Sequence, residues 1–67
     1  MDAGPRTFLV RAWPSDGRLV LYVPEIEAST LARDMAAAEA AVRSLICDLT
    51  GLPADAVACE ITLGRPR

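Results

Sequence analysis

One stretch of the chain repeats its apolar residues with the period of a helix, and that stretch limits the fold more than any other feature. Between Asp34 and Gly51, Met35, Ala38, Val42, Leu45, Ile46 and Leu49 fall on one stripe at 100° per residue, with Glu39, Arg43, Cys47 and Asp48 to its sides or behind it. Asp34 is suited to accept hydrogen bonds from the free amides of a first turn. Gly51, with Pro53 just beyond, is suited to end the last one. A lone helix with one apolar side needs a surface to pack against. The rest of the chain alternates in the manner of strands, so that surface is expected to be a sheet.

The strand signals are local. Residues 7–13, Thr-Phe-Leu-Val-Arg-Ala-Trp, are rich in aromatic and β-branched types, and Pro14-Ser15-Asp16-Gly17 supplies turn chemistry. Residues 18–23 return, with Leu19, Leu21 and Val23 on one face and Arg18, Val20 and Tyr22 on the other. Pro24 stops that strand because it has no N–H to donate. A loop over 25–28 and a short strand over 29–32 precede the helix. A last strand over 57–63 alternates Val57, Cys59, Ile61 and Leu63 against Ala58, Glu60 and Thr62. The expected fold is α+β in the order β-β-β-α-β, an antiparallel sheet with one helix packed on one face. Residues 1–6 read as a flexible lead-in, 7–63 as a single domain and 64–67 as a tail.

A chain of 67 residues buries only about 60% of the surface it exposes when unfolded, so its core is thin and self-association is expected. The composition excludes more than it suggests. His, Lys, Asn and Gln are all absent, which removes Ser-His triads, zincin motifs, P-loops and Schiff bases. Ser15, Ser29 and Ser44 have no base to activate them, and no group of acids is expected to converge on a metal. No enzyme activity, cofactor or metal is expected.

Seven arginines stand among nine acids for a net charge of −2 and a pI near 4.8. The arginines are spread along the chain with no basic run, so nucleic acid is a poor first expectation. Cys47 and Cys59 are expected to be free thiols, with Cys59 pointing to the core and Cys47 turned away from the helix stripe. The Met-Asp-Ala-Gly-Pro-Arg start does not resemble a signal peptide, and residues 35–49 are too charged to span a bilayer. A cytoplasmic protein is the expectation.

The stretch from Phe8 to Ile46 resembles the N-terminal domain of the HicB family of antitoxins. The matching residues are Trp13, Asp16-Gly17, Leu19-Val20-Leu21, Val23-Pro24-Glu25-Ile26, Thr30 and the helix opening Asp34-Met35-Ala36. Glu27-Ala28 stands where the family usually has Pro-Gly, and Ala32-Arg33 stands where a Gly commonly precedes the helix. After Leu63 the chain has only Gly-Arg-Pro-Arg, where typical members carry an operator-binding module, so DNA binding is not carried over. The resemblance implies a partly degraded RNase-H-like fold, dimerisation and capture of a small basic RNase toxin of the HicA type.

The residues expected to meet a partner are Trp13, Val20, Tyr22, Glu25, Ile26 and Glu27. With Leu19, Leu21 and Val23 given to the helix, the opposite sheet face offers Val20 and Tyr22. The first strand adds either Leu9 and Trp13 or Phe8 and Val10. A homodimer would cover such a patch by using it twice. Two other readings accompany the antitoxin one. The chain could be an orphan dimeric regulatory or ligand-sensing module, or a binder of single-stranded nucleic acid through stacking on Trp13 and Tyr22.

Overall fold

The computed structural model describes residues 4–65, so expectations for residues 1–3 and 66–67 lie outside the described residues. Strand β1 (Arg6–Ser15) and strand β2 (Arg18–Val23) form a hairpin, a short 3-10 turn (Pro24–Ile26) leads to strand β3 (Ala28–Ala32), helix α1 (Met35–Thr50) follows, and strand β4 (Val57–Leu63) closes the chain. The order across the sheet is β3-β2-β1-β4. This is the expected β-β-β-α-β fold with one correction. The sheet is mixed, because β4 pairs with β1 in parallel, Arg6 opposite Val57 through Ala12 opposite Leu63.

The reason for that pairing is direction. β1, β2 and β3 run up, down and up as a meander. A helix of 16 residues is about 24 Å long and carries the chain back once across the sheet. The next strand therefore sets out from the end where β1 began. The vacant side of β1 receives it, and the pair is parallel.

The hairpin turn is tighter than the four residues expected. Asp16 and Gly17 alone form it, at φ 53° and 75°, and Ser15 pairs with Arg18. Two central residues of positive φ match the strand twist in a two-residue loop. Pro14 thus falls inside a central strand, where proline is normally excluded. In a two-residue hairpin the closing pair is hydrogen-bonded, so Pro14 opposite Leu19 belongs to the next, non-bonded pair and its nitrogen faces away from β2. On that side β4 has already ended at Leu63, which pairs with Ala12. No ladder bond is lost.

The core lies between helix and sheet. Phe8, Val10, Ala12, Leu19, Leu21, Val23, Ala32 and Val57 from the strands meet Ala38, Val42 and Ile46 from α1. Asp34 caps the helix as expected, its side chain accepting from the Ala37 N–H at 3.0 Å. Gly51 ends the helix at φ 78°, its N–H donating to the Cys47 carbonyl at 2.9 Å. The buried stripe is narrower than the sequence pattern. Met35 and Leu49, both expected on it, are half exposed or more at the ends of the helix, beyond the reach of the sheet.

Candidate functional site

Alternation along β1 and β2 puts every second residue on the face that α1 does not cover. The strand registers then arrange those residues in rows. Trp13 stands opposite Val20, and Val20 opposite Leu31, so one row crosses β1, β2 and β3. In the next row Thr62, Arg11, Tyr22 and Ser29 stand side by side. Leu9 and Glu60 form a third. Leu9 is 62% exposed and Leu31 52% exposed, while Trp13, Val20 and Tyr22 are half-buried by their own neighbours in the sheet. The open face is therefore apolar and aromatic, with arginine among the rings.

Of the two options for the first strand, Leu9 and Trp13 lie on the open face, and Phe8 and Val10 belong to the core. Leu31 was not among the expected site residues. Its signal was the register of β3, which places it beside Val20 and cannot be read from a five-residue strand with no clear alternation.

The tertiary fold also changes the view of charge. Arg18 shares the parity of Val20 and Tyr22, and Arg18, Leu31, Ala32 and Arg33 line one shallow depression at the β3 side of the sheet. Arg18 and Arg33, widely spaced in sequence, meet in that depression, and Arg11, opposite Tyr22, shares the parity of the open face two rows away. On the described strands Glu60 is the acid that shares this face.

Glu25, Ile26 and Glu27 occupy the bend between β2 and β3. Glu25 is exposed and forms an ion pair with Arg6, whose guanidinium also lies 4.8 Å from the centre of the Phe8 ring. Thr7, Leu9, Pro24 and Glu25 line a second depression, so the acidic bend borders the open face at Leu9. Ile26 turns inward and packs against the core, which leaves little of it for a partner. Glu27 is exposed and holds φ 51°, a left-handed conformation that lets its N–H donate to the Pro24 carbonyl at 3.1 Å and ends the 3-10 turn. The six expected residues thus divide into three on the sheet face, two exposed at its rim and one packed within.

The cysteines sit at the other side of the molecule. Both are unpaired thiols and partly buried. Cys47 packs against the core beside Leu52 and Cys59, correcting the expectation that it turns away. Burial pushes the Cys59 thiol up from its ordinary pKa, Arg43 acts to lower it, and Glu39 and Cys47 act to raise it. At neutral pH Cys59 is therefore protonated and a poor nucleophile. Among the described residues no three His, Cys, Asp or Glu side chains are placed to hold a metal ion, and no helix is long and apolar enough to cross a membrane.

Comparison of the chain with family models, with curated proteins and with solved structures finds no match.

Proposed function

We propose that this chain is a non-catalytic docking domain of antitoxin type, and that its open sheet face and the neighbouring 25–28 bend cover the active surface of a small basic RNase of the HicA type. The observation that carries the reading is the row Trp13, Val20, Leu31 with Tyr22 in the next row and Leu9 in the one after, largely apolar positions on one side of a sheet that no segment among the described residues covers. Aromatic residues on a rigid strand lose little entropy on contact and are common anchors of binding energy. Exposed Glu25 and Glu27 at the rim offer carboxylates to a basic surface. The choice of partner rests on the resemblance of residues 8–46 to HicB antitoxins.

An RNA-cleavage assay tests this. Adding the chain in molar excess to a HicA-type RNase is expected to stop cleavage, and the Trp13→Ala, Tyr22→Ala double variant is expected to need more than about tenfold higher concentration for the same inhibition. Unchanged cleavage in the presence of excess folded chain removes the proposal.

A second reading is favoured by one particular arrangement. Arg11 stands opposite Tyr22 and one row from Trp13, so one basic and two aromatic residues share neighbouring positions on one face. Such a surface can stack bases and meet phosphates. Titration with single-stranded oligonucleotides at low salt decides it, because there this binding is strongest.

A further inference from the structure

The open face is one unsatisfied surface of this sheet, and its two edges are another. Among the described residues, β3 and β4 each leave one side of their backbone without a strand partner. The edges differ in charge. β4 carries Glu60 at its centre, and an antiparallel copy centred there would set two carboxylates against each other. β3 carries no charge, proline or bulge from Ala28 to Ala32 and is flanked by Glu27 on one side and Arg33 on the other.

That pattern is self-complementary. We propose that β3 pairs antiparallel with β3 of a second copy, with the two-fold axis at Thr30, so that Glu27, in the bend just before β3, comes near the partner's Arg33, just after it, at both ends of the seam. In this register Ala28 meets the partner's Ala32, and Ser29 the partner's Leu31. Hydrogen-bonding direction fits. Counting from the closing pair Ser15–Arg18, the residues of β2 that bond to β1 are Arg18, Val20 and Tyr22, so Leu19, Leu21 and Val23 bond outward to Ala32, Thr30 and Ala28. Ser29 and Leu31 therefore direct their N–H and C=O groups to the free edge. Those are the groups that exchange bonds across the proposed axis.

The side chains also fit. Ser29 and Leu31 lie on the open face, and Leu31, 52% exposed, comes diagonally beside the partner's Leu31 at a spacing of about 7–8 Å. The axis is perpendicular to the sheet, so the two sheets join into one with both helices on the same side. The two open faces become continuous and stay uncovered, which makes this contact independent of the docking function proposed for them.

Sedimentation velocity of the full chain over a wide concentration range tests the proposal. A dimer is expected that weakens as salt rises. Glu27→Arg alone and Arg33→Glu alone each place like charges opposite one another twice, and each is expected to raise the dimer Kd about tenfold or more. The double variant Glu27→Arg, Arg33→Glu restores opposite charges in reverse and is expected to return the Kd to within about threefold of the parent. Trp13→Ala is expected to leave it unchanged. A chain that stays monomeric at the highest concentration overturns the proposal. So does a dimer that ignores the single reversals, a double variant no tighter than either single one, or a dimer lost on Trp13→Ala. Loss of RNase inhibition with the charge-swap pattern intact would remove only the docking reading.

Discussion

The two faces of this sheet are made by the same strands and differ at every second residue. On the helix side Phe8, Val10, Ala12, Leu19, Leu21 and Val23 are all buried, and α1 returns Ala38, Val42 and Ile46 to meet them. On the open side the same strands present Leu9, Arg11, Trp13, Arg18, Val20 and Tyr22. A face that only met water would need no Trp, Tyr or exposed Leu beside its arginines. The difference shows that packing of the monomer accounts for one set of residues and leaves the other without a cover among the described residues.

The strongest way to break this contrast is to remove a side chain from each face. Phe8→Ala empties the largest fully buried position and is expected to cost about 3–5 kcal/mol. In a domain of this size that is most or all of the stability, so urea denaturation should find the variant largely unfolded. Trp13→Ala in the monomer is expected to cost less than about 1 kcal/mol in the same measurement. Equal losses for the two variants would mean that the open face is structural.

Between these lies the helix cap. Asp34→Ala removes the acceptor for the Ala37 N–H and should cost about 1 kcal/mol by loosening the lid on the covered side, which thermal unfolding can follow. The smallest effect concerns the Cys59 thiol. Its pKa is raised by burial in the folded chain, so on raising the pH the unfolded chain loses this proton first. The contribution to stability is whole below the ordinary thiol range near about 8.5 and falls away as pH passes through the folded value. A shallow decline in stability above that range, flattened by Cys59→Ala, is expected from denaturation at stepped pH.

Much of the molecule is legible in one dimension because its signals are local. Asp34 and Gly51 mark the helix limits through hydrogen bonds within one turn. Leu19, Leu21 and Val23 declare a buried side by alternation. Asp16 and Gly17 name the hairpin through their positive φ. The parallel pairing of β4 was less visible, since alternation gives a strand two faces and no direction. Phase alone does not tell which turns of a helix are covered: Met35 and Leu49 share the phase of the buried stripe but stand in its first and last turns and are half exposed or more.

The candidate site was legible in part. Trp13, Val20 and Tyr22 follow from parity once the helix has taken the other side, whereas Ile26 could not be told apart from an exposed loop residue until the 3-10 turn folded it inward. The place of Leu31 beside Val20 and the meeting of Arg18 with Arg33 depend on register and strand order. Both bring together residues far apart in the chain.

Residue order was enough to dictate the order of the elements, the two caps of the helix and which side of β2 is buried, because these depend on bonds and periodicities spanning a few residues. Strand order, the direction of β4, the composition of the open face and the free edge of β3 depend on where the helix returns the chain. That is a property of packed lengths and directions in three dimensions, and no local pattern records it.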